Sequence, residues 1–171
     1  MKRSRIVLWA GVIAFVGAWV ALNVHPAGSE SDGGITWHSF TEGVTAARTQ
    51  QKFVLVDVYT DWCGWCKKMD REVYTDARVR DILQERFVAV KLNAESSEPL
   101  EFNSVRMSEA QFARTAGVTG YPTTLFLDER GAVVTILPGY LPAEQFVRVL
   151  TFVAEGHYKQ QRLDDFLSRG S

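Results

Sequence analysis

Apolar positions along the chain fall into runs of distinct length and period. Residues 6–24, from Ile6 to Val24, carry no charge, and only Asn23 among them is strongly polar. Phe53–Tyr59 and Phe87–Leu92 are short, continuous and rich in β-branched residues. Apolarity without alternation predicts strands covered on both faces. Thr123–Leu127 and Ala132–Leu137 flank the turn-forming Asp128–Gly131 and predict a β-hairpin. Helical spacing recurs in Thr41–Gln51, with Val44, Ala47 and Arg48 on one face, and in Asp76–Arg86, with Val79, Ile82 and Leu83. It recurs again from Pro142 to about Glu155, through Phe146, Val149, Leu150 and Val153. Cys63–Arg71 also reads as a helix.

End signals sharpen these assignments. Thr41 is a candidate N-cap. Ser108 with Gln111 forms a capping-box pattern opening a helix that stops at Gly117. Pro142 suits a first helical turn, and Gly156 a stop. Ile35–Phe40 alternates weakly, as an edge strand would, and Tyr158–Leu167 suggests a short amphipathic helix. The order is β-α-β-α-β, then α, a hairpin and a final α. It predicts an α/β fold: a parallel βαβ core joined to an antiparallel hairpin in one central mixed sheet, with helices on both faces.

The apolar run divides the chain. Met1–Arg5 holds three cations, and at ~1.5 Å per residue the nineteen residues 6–24 span roughly 28 Å as a helix, close to a bilayer core. This favours an uncleaved transmembrane signal anchor. Its basic tip, residues 1–5, would stay in the cytoplasm and the rest outside. A cleaved signal ending near Ala27–Ser29 leaves an exported or secreted domain instead. Residues 25–34 are small and polar, a flexible spacer. Residues 35–155 form one domain and 156–171 a helical tail. At 171 residues, 46% hydrophobic and 23% charged, the chain holds one well-filled core. With Lys2, Arg3 and Arg5 set apart from the 19 basic residues, the 20 acidic ones leave the remainder at −4. That balance disfavours nucleic acid as a partner.

The two cysteines sit in Asp61–Trp62–Cys63–Gly64–Trp65–Cys66–Lys67, just after a buried strand and opening a helix. A C-x-x-C there reads as a redox motif. Cys63 meets the free N–H groups and dipole of the helix start, which stabilise a thiolate. Cys66 lies one turn deeper on the same face, within disulfide reach. Cys63 can attack a substrate disulfide, and Cys66 can resolve the mixed disulfide. Other readings are weaker. A static disulfide across so short a loop removes little chain entropy. A zinc site needs two more ligands, and His25, His38 and His157 are scattered. No metal or organic cofactor is implied beyond the Cys63–Cys66 disulfide. Asp57, inside Phe-Val-Leu-Val-x-Val-Tyr, is either a desolvated carboxyl with a raised pKa or the one solvated position of its strand.

Val56–Lys67 resembles the active-site strand-turn-helix of thioredoxins. Tyr121–Pro122–Thr123 resembles that family's cis-proline loop, Val90–Asn93 its central strand and Gly139 the glycine before its last helix. The likeness covers roughly residues 35–155. It is similar to membrane-tethered periplasmic thioredoxin-like reductases and to the C-terminal domain of DsbD-type electron transporters. The resemblance implies a protein-disulfide oxidoreductase with Cys63 as nucleophile, Cys66 as resolver and Asp57 as proton acceptor. It pairs Lys91 with Asp57, sets Trp62, Gly64, Trp65 and Lys67 around the cysteines, and gives Tyr121 and Pro122 to substrate binding. The implied partners are disulfide-containing proteins and a DsbD-like membrane thiol donor. Reduction is the favoured direction. A disulfide oxidant or isomerase is the alternative within the class, and a non-catalytic binding or chaperone module the alternative outside it.

Two departures from the family pattern stand out. Gly64–Trp65 replaces the Gly-Pro of thioredoxin, and the dipeptide helps set thiol pKa and potential. The polar stretch Asn93–Arg106 holds an insertion, Ala94–Arg106, expected near Cys63 as one wall of a partner groove or as an ordinary surface loop.

Overall fold

The structure, a computed structural model, describes residues 30–32 and 34–169. The basic tip 1–5, the apolar run 6–24 and most of the 25–34 spacer lie outside the described residues. In chain order the elements are β1 (Glu30–Asp32), β2 (Ile35–His38), α1 (Phe40–Gln50), β3 (Phe53–Tyr59), α2 (Gly64–Glu72), α3 (Ala77–Arg86), β4 (Phe87–Asn93), β5 (Pro99–Phe102), β6 (Val105–Ser108), α4 (Glu109–Thr115), β7 (Thr123–Leu127), β8 (Val133–Pro138), α5 (Ala143–Ala154) and α6 (Leu163–Ser168).

Six strands form one mixed sheet in the order β1-β2-β4-β3-β7-β8. β2, β4 and β3 run parallel, whereas β7 is antiparallel to β3 and β8 to β7. Both expected buried strands are the middle of this sheet, and the hairpin closes on Gly131 at φ +89°. Glu30–Asp32, inside the stretch read as a spacer, pairs antiparallel with β2 as an edge strand.

Strand alternation divides the core in two. Val54, Val56 and Val58 of β3, Val88, Val90 and Leu92 of β4, and Leu125 and Leu127 of β7 face α1 and α4. Leu55, Phe87, Ala89 and Phe126 face α2, α3 and α5. α1 lies so close to β4 that a Cβ on Gly43 would come within 2.2 Å of a Val90 methyl. Glycine is what permits that approach.

Three local expectations change. The α1 N-cap is Ser39, whose hydroxyl donates to Glu42 Oε2 at 2.8 Å, and Thr41 lies inside the first turn. Ser39 wins because the helix begins two residues earlier than a Thr41 cap would set it, with Phe40 buried among Phe102 and Phe112. The 94–106 insertion is a two-stranded hairpin, β5–β6, turning through Asn103 and Ser104, both at positive φ. Leu100 and Phe102 turn it onto the α1–α4 core. The C-terminal helix is broken into a 3₁₀ turn at His157–Lys159 and α6. Phe166 stacks against Phe152, and Arg148 Nη2 donates to the carbonyls of Phe166 and Leu167, so contacts with α5 set its path. The Ser108–Gln111 capping box is present with both reciprocal bonds. Among the described residues no helix is long and apolar enough to cross a membrane.

Candidate functional site

β3 ends at Tyr59, and the next turn delivers Cys63 to the start of α2. Cys63 is the N-cap of that helix: its backbone N–H donates to the Thr60 carbonyl, and its Sγ accepts from the Cys66 N–H at 3.0 Å. Cys63 and Cys66 form a disulfide, with Cα atoms 5.3 Å apart. The helix start therefore aims its free N–H groups at one sulfur, an arrangement that favours a thiolate once the bond opens. In the disulfide both cysteines are covered, at 4% and 3% exposure. In this oxidised form the helix-start position of Cys63 leaves it no more open than Cys66.

Among the described residues the flanking tryptophans are the most open large hydrophobic side chains, Trp62 at 66% and Trp65 at 57%. Trp62 Nε1 donates to the Glu95 carboxylate at 3.1 Å, and its ring meets Tyr121 edge-on at 5.9 Å. Trp65 lies against Tyr140 at 5.4 Å, with Lys68 Nζ over both rings. Tyr140 Oη in turn donates to Glu72 Oε2. Gly64 and Lys67 are exposed. The Tyr121–Pro122 bond is cis, and the register pairing Thr123 with Val58 puts this loop at the same sheet edge as Cys63. Gly139, at φ +85°, donates its N–H to the Pro122 carbonyl at 2.8 Å.

Beneath α2 lies Asp57, 1% exposed. The solvated alternative is thereby excluded. The register sets Lys91 of β4 opposite Asp57 on one side and Thr124 of β7 opposite it on the other. Lys91 Nζ donates to Asp57 Oδ2 at 2.6 Å and to Asp70 Oδ1 at 2.5 Å. The same ammonium lies over the rings of Trp37, Tyr59 and Tyr74, at 4.6–5.4 Å from their centroids. Burial raises the Asp57 pKa, and the pull of Lys91 only partly offsets it. For Lys91, burial works downward, but Asp57 and Asp70 outweigh it and hold the ammonium charged. Asp57 thus carries a full hydrogen bond on one oxygen and a proton affinity above that of an ordinary carboxylate.

Every residue singled out in the motif lies at this one edge of the sheet or directly beneath it. Sequence reasoning missed Asp70, Tyr74, Thr124, Trp37, Glu95 and Tyr140. Asp70 had a usable signal, since it stands four residues after Cys66 and so on the same helix face. The others come from separate elements and carry no local mark. Among the described residues, no group of three or more His, Cys, Asp or Glu side chains could hold a metal ion.

Residues 40–154 match the family described as thioredoxin-like domain. The chain is 35% identical over 111 residues to the thiol:disulfide interchange protein DsbD of Actinobacillus pleuropneumoniae serotype 5b, covering 64% of this chain and 17% of that one. It is 31% identical over 104 residues to DsbD of Tatumella citrea, covering 59% and 16%. The chain thus spans less than a fifth of the length of these relatives. Among solved structures, a thioredoxin-fold protein from Helicobacter pylori is similar at a TM-score of 0.62 and 26% identity, over 70% of this chain and 80% of that one.

Proposed function

The chain belongs to the thioredoxin-like family, and from that premise we propose that it is a protein thiol–disulfide oxidoreductase working in the reducing direction. The observation that carries the reading is the disulfide at the start of α2 with a buried, proton-avid carboxyl below it. In the reduced protein the Cys63 thiolate attacks one sulfur of a substrate disulfide. A mixed disulfide forms, and the substrate's other sulfur leaves as a thiolate and takes a proton from solvent. Cys66 then loses its proton to Asp57, and its thiolate attacks Cys63 Sγ. The internal disulfide closes, and the second substrate sulfur departs. Two electrons pass to the substrate, so each cycle requires a thiol donor to reopen Cys63–Cys66. Trp62, Tyr121 and Pro122 offer the surface on which an extended substrate segment lies, with Trp65 on the other side of the cysteines.

Charge supports the direction. A strong oxidant over-stabilises its nucleophilic thiolate. Here Asp57, Asp61 and Asp70 place negative charge near the pair, and Lys91 is already shared between two of these carboxylates. The apolar run 6–24 behind a basic tip supports an extracytoplasmic setting for the domain. In this reading residues 1–5 are the cytoplasmic tip, 6–24 anchor the domain 35–155 to the inner membrane, and a DsbD-like membrane thiol protein in the periplasm is the electron donor.

The test is the reduction potential of Cys63–Cys66, read by equilibrating the full chain in glutathione buffers. A value near the ~−270 mV of thioredoxin is expected, and one near ~−120 mV makes the protein an oxidant. Failure to speed insulin reduction by dithiothreitol would leave only a binding module.

A further inference from the structure

Asp57 uses one oxygen for Lys91. Its other oxygen, Oδ1, is buried and without a hydrogen-bond partner among the described residues. Two more buried oxygens share that condition at the same place, Tyr74 Oη and Thr124 Oγ1. Their meeting is no accident of packing. Thr124 stands opposite Asp57 in the β3–β7 ladder and so points to the same sheet face. Tyr74 follows α2, its N–H donating to the Met69 carbonyl, and its ring is wedged edge-on between Trp37 at 4.9 Å and Phe146 at 5.9 Å. That wedge carries the hydroxyl toward Asp57 and Thr124, close enough to both to couple with them electrostatically, although none of the three oxygens reaches full hydrogen-bond geometry with another. Orphaned polar atoms cost free energy when buried singly, and three around one point mark a small polar site.

We propose that Tyr74 and Thr124 are positioning residues for the proton transfer at Asp57 Oδ1. The inference rests on the reading of Asp57 as proton acceptor. A hydroxyl is both donor and acceptor. While Asp57 is ionised, the two hydroxyls donate toward Oδ1, directly or through one water that has all three oxygens as partners. Once the Cys66 proton arrives on Oδ1, the new carboxyl O–H donates and a hydroxyl rotates to accept. The Lys91 ammonium cannot do this, because it has donors only. Tyr74 stays a neutral phenol throughout, since burial holds its pKa well above the ordinary value. The titratable groups facing Asp57 are Lys91 of β4, Asp70 of α2, Tyr74 after α2, and Tyr59 of its own strand.

The two sulfur steps separate in one trace when the reduced full chain reacts with 5,5′-dithiobis(2-nitrobenzoate). Cys63 attack releases one thionitrobenzoate, and Cys66 closure releases the second. Tyr74→Phe keeps the ring packing and removes only the hydroxyl. We expect its first phase unchanged and its second phase slowed roughly 3- to 10-fold at pH 7, the effect of one lost hydrogen bond. The pH midpoint of that second phase should move upward, because the ionised carboxylate loses a donor. Thr124→Val, of the same shape, should act in the same direction and serves if Tyr74→Phe does not fold. Second-phase pH profiles equal to wild type in the folded variants overturn the inference. Asp57→Asn distinguishes the two layers. If it fails to slow the second phase, the proton-acceptor reading falls. If it slows that phase while both hydroxyl variants behave as wild type, only the positioning roles fall.

Discussion

The two faces of β3 are both covered by helices and differ in what they hold. Val54, Val56 and Val58 point toward α1 and α4, and all are fully buried among Phe40, Leu92, Phe112 and Leu125. Leu55 and Asp57 point the other way, and there a buried carboxyl, a buried phenol and a buried threonine hydroxyl lie beside Trp37 and Met69, with a half-buried ammonium and a half-buried second carboxyl at the margin. An apolar face maximises burial with no polar group to satisfy. The other face retains charges whose burial is unfavourable, in a strand where another valine would pack. The difference teaches that stability and chemistry are separated across a single strand, and that α2 carries Cys66 onto the chemical side.

Breaking the pair itself should have the largest effect. Cys66→Ser should lose all catalytic turnover and accumulate mixed disulfides through Cys63, visible as adducts on non-reducing gels, whereas Cys63→Ser should trap few. Equal trapping by both variants would erase the division of roles. Next, Asp57→Asn should slow closure by Cys66 on the order of 100-fold at pH 7 with little effect on the first thiol attack, read by stopped-flow. On the apolar face the expectation reverses. Val56→Ala should lower stability by about 2 kcal/mol, through two lost methyl groups and the cavity they leave, and should leave the pH profile of closure unchanged. A shifted profile would show that the two faces are coupled. Ser108→Ala, which removes the capping bond opening α4 over that same face, should cost about 1 kcal/mol in a urea titration.

The smallest effects are those of pH on stability, and their signs differ. Asp57 has a raised pKa in the fold, so it favours folding below its ordinary value of 3.8, and that contribution is lost as pH rises through the folded value. Asp76, the half-buried N-cap of α3, is held down to about 2 by Arg78, which bonds its carboxylate. Its contribution is present above 3.8 and is lost as pH falls through about 2. Urea midpoints across pH 2–7 should therefore lose the upper trend in Asp57→Asn and the lower one in Asp76→Ala. If Asp57→Asn keeps the upper trend, Asp57 is not its source.

Much of the chain could be read without the fold. The β3, β4 and β7 spans, the hairpin turn, the capping box at Ser108 and the cysteine pair all follow from periods and spacings within a dozen residues, because those patterns are physically local. Asp57 stood out for the same reason, as an acid inside an apolar run. What tertiary structure alone decided is the company these residues keep. The 94–106 stretch looked like a polar loop, since a hairpin of four-residue strands holds too few apolar positions to show a period, and only docking on Phe40 and Phe112 orders it. The N-cap moved from Thr41 to Ser39 because burial of Phe40 set where α1 begins. Lys91 of β4, Asp70 and Tyr74 in and just after α2, and Thr124 of β7 come from three separate segments and meet at Asp57 because strand register and the packing of α2 put them there. No local pattern records such a meeting. A carboxyl's proton affinity depends on the groups that surround it in space, so the sequence named the acid, and the fold alone determined its environment.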